Sequence, residues 1–410
     1  MPFLLVCIGI FFGLRYKFFY IVHPLRAIKS MLSGTHGGFK ALCLALAGTL
    51  GVGNIVGVSS AIIAGGYGAV FWMWVSALCA MSLKYAEVFL AMRYRRIENG
   101  EYHGGAPYYI FDGMKKKIGK GLAFFLSCTF ALLCVINSLT TGNLVQVNAV
   151  GSLLPVSPLV FGIAFAILAF VIIMGGEKRI SSFNSYLIPI LSCFYIAMSI
   201  YIIVINFSQM PRVLSLIFSD AFSLKSAFGG ALGYGISRAI RFGVSRGVLS
   251  NEAGCGTSVC AHASSKSNDA HAQGCLGIFE VFFDTIVLCS LTAFVIILAG
   301  EGSENNPMSL VLFAFSKFCG GIGYYGVILS SLLFAFATVC TQYFYGVEAL
   351  SYITKTRLSK NIFTSVFLLV LTLGATIPMN LMWEISDFTL ALMTILNLIF
   401  LLFLFKDTKN

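Results

Sequence analysis

The chain predicts an all-α membrane protein with about eleven transmembrane helices, two inverted sets of five preceded by one extra helix. Three observations predict this class. Of its 410 residues, 58% are hydrophobic and only 10% charged, with a mean hydropathy of +0.90; a soluble domain carries roughly 25% charged residues. Apolar windows long enough to cross a hydrocarbon core recur along the whole length. Each half also opens on its most glycine-rich segment, Gly48–Gly57 in the first and Gly243–Gly256 in the second. The short alternating segments of a β-barrel are missing.

The spans expected in order are 2–14, 41–64, 68–92, 121–149, 157–175, 182–206, 222–242, 274–299, 321–352, 361–378 and 381–405. The first is short, but it does not end in a small-residue cleavage site and reads as a retained span. The basic, partly apolar stretch from Arg15 to Lys40 reads as an amphipathic helix lying along the cytoplasmic interface. The chain divides into 1–40, 41–206 and 207–410. An odd number of spans in each half makes the second half enter from the opposite side.

The net charge of +11 is spread over alternate loops, as in Arg93, Arg95, Arg96 and Lys115–Lys117 on one side against few cations on the other. That is the positive-inside pattern, with the N-terminus outside and the C-terminus in the cytoplasm, and it removes the nucleic-acid reading. Twelve cysteines lie scattered without a C-x-x-C pair and read as small packing residues between helices.

The segment Ala45–Gly68 is apolar enough to span, yet Gly48, Gly51, Gly53 and Gly57 crowd its middle. Glycine weakens a helix by about 1 kcal/mol relative to alanine. Because lipid forbids bared peptide groups, an unwound stretch there must line a cavity within the protein. In the second half, 221–250 would be about 45 Å long if helical, more than a bilayer core needs, and it holds Arg238, Arg241 and Arg246. A break is expected there, continuing into residues 250–258. Interrupted apolar segments at corresponding positions of two halves point to a transporter's binding site. Gly65 and Gly66 read as close packing at a helix end.

Seven stretches occur in an order that resembles the bacterial alanine/glycine:cation symporter family: G-T-L-G-V-G-N-I-V-G-V (48–58), F-W-M-W (71–74), K-Y-A-E-V (84–88), G-N-L-V-Q-V-N (142–148), R-G-V-L-S-N-E-A-G-C-G-T-S (246–258), F-F-D-T-I-V-L-C-S-L-T-A (282–293) and F-A-F-A-T (334–338). The resemblance implies the leucine-transporter type of inverted repeat, residence in the bacterial inner membrane, and sodium-coupled uptake of a small neutral amino acid. A proton-coupled carrier, a transporter-like sensor and a channel are the alternatives. Enzyme signatures such as H-E-x-x-H, G-x-S-x-G and G-x-x-x-x-G-K-[ST] do not occur.

A zwitterion needs donors for its carboxylate and acceptors for its ammonium. The N–H groups of Gly51, Val52 and Gly53 would form an anion-binding nest at a positive helix end. The Thr49 hydroxyl either receives the ammonium or back-bonds to its own helix. Asn54 serves substrate or Na⁺, or ties down unwound backbone. Gln146 is interhelical glue or pocket wall, and the family match favours the pocket. Gly254 and Gly256 would bring backbone close to substrate, with Cys255 an apolar wall. By resemblance to the wider fold, the carbonyls of Ala47 and Leu50 and the Thr338 hydroxyl would hold Na⁺, whose hard character suits oxygen ligands. Relatives have Ser-Thr where this chain has Ala337-Thr338, and Trp where it has Gln342. The second change predicts a pocket that admits a larger or more polar side chain than alanine's. Lys84 and Glu87 read as an ion pair along one helix face, Glu252 as the partner of Arg246 or another arginine at a cytoplasmic gate, and Asp284 as either an arginine's partner or a proton relay. H-G-G-A-P (103–107) and His262 read as turn residues.

Overall fold

In a computed structural model the residues described are 2–98, 100–151, 153–222, 232–300 and 306–408. They are overwhelmingly helical, with one small antiparallel hairpin, β1 (Arg96–Glu98) paired with β2 (Glu101–His103). A short helix α1 (Pro2–Arg15) precedes α2 (Pro24–Thr49). The basic stretch of the N-terminal region is therefore helical from Pro24 as the first part of α2, continuous with the span expected from 41. After a break come α3 (Val56–Gly65), α4 (Gly68–Arg93), α5 (Ala106–Ile118) and α6 (Lys120–Gly151). Next follow α7 (Pro158–Ile173), α8 (Gly176–Ile205) and α9 (Met210–Ala221). The second part holds α10 (Leu232–Asn251), α11 (Val259–Ala263), α12 (Ala270–Ala299), α13 (Pro307–Ile353), α14 (Arg357–Gly374) and α15 (Met379–Phe403). Residues 223–231, where the opening span of the second half was expected to begin, lie outside the described residues.

Length and apolarity qualify seven helices among the described residues as membrane spans, or eight when α2 and α3 are taken as one bent span. The short α1 and α7 and the arginine-bearing α10 fall outside that measure. Helix ends follow ordinary capping chemistry. Asp269 accepts from the N–H groups of His271 and Ala272 at the start of α12, and Asn306 from those of Met308 and Ser309 at the start of α13. These side chains replace helical partners that the first turn lacks. Helix α13 is interrupted at Gly320, whose φ of 55° suits glycine.

Two spans carry π-turns, Thr140–Leu144 in α6 and Phe282–Cys289 in α12. A π-turn inserts a residue and re-aims its neighbours, and such turns often sit at functional sites. Here the first re-aims the stretch around Gln146, and the second carries Asp284. The core is continuous around the break after α2, with Leu50, Val52 and Ile55 shielded from solvent. The twelve cysteines are all free thiols.

Candidate functional site

Helix α2 ends at Thr49, and α3 leaves at an angle of 59° to it. Between them the chain passes through Leu50 (ψ 80°), an extended Gly51 and a single 3-10 turn, Val52–Asn54. Three partners inherit the peptide groups that the helix gives up. The Gly51 N–H folds back to the Thr49 carbonyl at 2.9 Å, so the Ala47 carbonyl loses its helical donor. The Val52 N–H donates to Gln146 Oε1 at 3.1 Å, which frees the Gly48 carbonyl to accept from Gln342 Nε2 at 3.4 Å. The Leu50 carbonyl accepts from Thr338 Oγ1 at 3.2 Å. A methyl group on Gly51 would come within 2.6 Å of Gln146 Oε1 and 2.8 Å of Thr338 Oγ1. Glycine is therefore required for this close approach.

Gly142, in the π-turn of α6, opens room on the other side: a Cβ there would run into the Gln342 side chain. Gln342 is buried, its Nε2 also donates to Glu252 Oε1 at 2.8 Å, and its Oε1 has no protein partner. The Tyr345 hydroxyl, close over Gly48, is likewise buried and unpartnered. The Thr49 hydroxyl bonds back to the carbonyls of Ala45 and Leu46, both at 3.3 Å. Gln146 completes its own amide by donating from Nε2 to the Thr141 carbonyl.

Asn54 faces away from this group. Its Nδ2 donates to Asp284 Oδ1 at 2.7 Å and Ser250 Oγ at 3.0 Å, and its backbone carbonyl accepts from Thr292 Oγ1 at 2.9 Å. Ser250 and Thr285 donate to the other oxygen of Asp284. Asp284 is thus held by an amide and two hydroxyls, not by an arginine as expected. Gly53 presses on this knot, its would-be Cβ 3.2 Å from the Ser250 Cα.

The second break was expected within 221–250; among the described residues the helix is unbroken from Leu232, and the break falls just after it, in the stretch read as its continuation. Helix α10 stops at Asn251, and Glu252 (φ 49°), Gly254 (φ 84°) and Gly256 (φ 72°) take left-handed conformations before α11 begins at Val259. Gly254, Cys255 and Gly256 do not join the group around Gly51. The N–H groups of Gly254 and Gly256 donate to the two oxygens of Glu87 at 3.1 and 3.0 Å, and Cys255 Sγ sits 3.1 Å from Thr394 Oγ1. Asn397 also donates to Glu87.

Two further expected ion pairs are corrected. Lys84 does not pair with Glu87; it reaches Glu280 at 3.4 Å and Ser258 Oγ at 2.7 Å. Glu252 accepts from Thr257 and Gln342, whereas Arg246 pairs with Asp387 at 2.9 Å and stacks on Trp383. His262 is no turn residue: fully buried, it bridges Glu280 at 2.8 Å and Gln273 at 2.8 Å. Within H-G-G-A-P, Gly105 (φ 136°) makes the turn, and His103 meets Glu348 of α13 at 2.9 Å. That carboxylate, by hydrogen bond, raises the His103 pKa above its ordinary value against the opposing effect of burial.

Glu87, Glu280, Asn397 and Tyr345 were missed as site neighbours. A charged residue inside an apolar span was the available signal for the two carboxylates. Which backbone or side chain each one holds depends on tertiary packing and leaves no local trace.

A helical bundle whose spans break at both 50–55 and 252–258 has the architecture of a secondary transporter, and solved structures agree. The crystal structure of MhsT in complex with L-phenylalanine aligns with 87% of this chain and 87% of its own, with a TM-score of 0.57 and 15% identity. A substrate-bound outward-open Na⁺-coupled sialic acid symporter aligns with 95% of this chain and 80% of its own, with a TM-score of 0.52 and 13% identity. These neighbours have the leucine-transporter fold. The chain belongs to the sodium:alanine symporter family, whose model matches residues 1–410. The sodium/alanine symporter AgcS of Methanococcus maripaludis is 35% identical over 98% of this chain and 92% of its own length. The protein is a multi-pass membrane carrier for amino acids driven by a cation gradient, and not an enzyme.

Proposed function

We propose that the protein carries a small neutral amino acid inward with Na⁺ by alternating access, using the first break as its binding site. The observation that carries this reading is the bond from Val52 N–H to Gln146 Oε1, beside the bond from Thr338 Oγ1 to the Leu50 carbonyl. In the proposed cycle the substrate carboxylate takes the place of Gln146 Oε1 on the Val52 N–H. Gln146 swings aside, and its amide turns to the substrate. Na⁺ is taken by the carbonyls of Ala47 and Leu50 with the Thr338 hydroxyl. This donor set is all oxygen, and two of its members have left their helical roles, which fits a hard cation. With alanine at 337, the adjacent hydroxyl that relatives supply is absent, so Na⁺ is held weakly.

The unpartnered Gln342 Oε1 and Tyr345 hydroxyl support a pocket that admits a polar side chain. Serine then competes better than alanine, and Gln342→Trp removes the difference. In this reading residues 41–206 and 207–410 are the two inverted repeats, with the N-terminus outside and the C-terminus in the cytoplasm.

Counterflow in liposomes against a panel of L- and D-amino acids, with Na⁺ and H⁺ gradients imposed separately, tests the proposal. Uptake that follows the Na⁺ gradient is expected. Uptake that ignores Na⁺ and follows ΔpH would overturn the choice of ion and favour the proton-coupled reading.

A further inference from the structure

We propose that the groove between the N-terminal part of α2 and α12 is a binding site for an anionic phospholipid of the bilayer. Two neighbouring hollows draw on both helices there. One, of about 390 Å³, is lined by His23 just before α2, by Arg26, Lys29 and Ser30 of α2 and by His271 of α12. The other, of about 410 Å³, is almost wholly apolar and is walled by Ala27, Ile28 and Met31 of α2 and by Leu276, Phe279 and Phe282 of α12.

Helices α2 and α12 contribute to both hollows, and along α12 the two come in the order a phospholipid requires. On α12 the polar end comes first, at His271, which Tyr85 steadies at 2.7 Å. The apolar wall follows down to Phe282, eleven residues on, or about 16 Å along the helix axis. That is about half of a 30 Å hydrocarbon core. A headgroup placed among the cations therefore sends an acyl chain along the apolar wall to about the bilayer centre. On α2, Arg26 and Lys29 lie three residues apart on one face, and Ala27, Ile28 and Met31 line the adjacent one.

Charge selects the headgroup. Arg26 and Lys29 are exposed, and neither takes part in an ion pair among the described residues. The nearby carboxylate of Asp269 is committed to capping α12. Basic pockets between membrane helices attract acidic headgroups at about 1 kcal/mol per cation. The groove also has a mechanical place. Helix α2 runs from this cleft to the break at Leu50, so a lipid wedged against α12 braces the base of the helix that carries the proposed site.

The test is lipid binding by full-length protein in detergent, read by native mass spectrometry during titration with phosphatidylglycerol or phosphatidylcholine. Phosphatidylglycerol is expected to bind preferentially. The double variant Arg26→Gln/Lys29→Gln should weaken it about 25-fold, fivefold per charge, and leave phosphatidylcholine binding unchanged. Ile28→Trp, which fills the apolar hollow without touching charge, should weaken both lipids. Glycerol 1-phosphate, a headgroup without chains, should not compete. Equal binding of the two lipids, an unaltered double variant, or displacement by glycerol 1-phosphate would each overturn the proposal. Lys360→Gln, a charge removed elsewhere, is the control and should change nothing.

Discussion

The two breaks in the bundle differ in what their freed peptide groups hold. At 50–55 the partners are neutral and single: one amide oxygen on Val52, one hydroxyl on Leu50, one amide on Gly48. At 252–258 a fully buried carboxylate, Glu87, takes two N–H groups at once, and three residues sit at positive φ. One hydrogen bond contributes about 1 kcal/mol net, whereas removing the shared acceptor of several buried donors costs about 1–3 kcal/mol for each donor left unpaired. The first break can trade its partners for a solute at little cost. The second is fastened, and its peptide groups are structural. Two glycine-rich stretches thus hold their peptide groups differently because of the side chain packed opposite.

The largest expected effect breaks the fastened side. Glu87→Leu strands the N–H groups of Gly254 and Gly256 and the Asn397 amide, costing roughly 3–5 kcal/mol. Thermal unfolding in detergent should show a large fall, with Glu87→Gln falling about half as far. An unchanged midpoint for Glu87→Leu would remove the distinction between the breaks. Gly51→Ala comes next. Overpacking against Gln146 and Thr338 costs about 1–3 kcal/mol, so substrate binding should weaken roughly 5- to 150-fold while the unfolding midpoint moves little. Thr338→Val should raise the Na⁺ concentration for half-maximal uptake about fivefold, the worth of one neutral ligand; the same Na⁺ dependence as wild type would remove Thr338 from the ion's shell.

The smallest effect lies on the hairpin. The Glu348 carboxylate raises the pKa of His103, so the folded state binds the proton more tightly than the unfolded chain does. The pair's contribution is fully present below the ordinary histidine pKa of about 6.5 and is lost as pH rises through the higher folded value. His103 is 24% exposed, which keeps the contribution under about 1 kcal/mol. Unfolding midpoints measured from pH 6 upward should fall slightly, and His103→Asn should flatten that slope.

How much of this was legible follows from range. The break at Gly48–Gly57 was readable because four glycines and an asparagine in an apolar span contradict a helix locally. The second was readable in part: the length of 221–250 and its arginines called for a break, but the helix carries those arginines unbroken from Leu232 to Asn251 and the chain turns just after it. The approach of Thr338 to the Leu50 carbonyl matches what family resemblance led one to expect. Partners across the bundle were not readable. Lys84 and Glu87 are three residues apart, which fits a pair on one helix, yet each finds a better partner elsewhere: Glu280 for Lys84, the bared peptides of Gly254 and Gly256 for Glu87. Asp284 was seen as needing a partner, but nothing local says that an amide and two hydroxyls suffice. Local spacing proposes pairs, and burial of unsatisfied backbone decides between them.

Equilibrium binding of labelled alanine, serine and glutamine to purified protein, with and without Na⁺, tests most directly whether the first break is the binding site. The comparison is between wild type, Gln146→Ala and Glu87→Gln. The expected result is Na⁺-dependent binding that weakens about fivefold or more in Gln146→Ala and keeps its affinity in Glu87→Gln, despite the latter's lower unfolding midpoint. Unchanged affinity in Gln146→Ala together with lost binding in a folded Glu87→Gln would contradict it and place the solute at the second break.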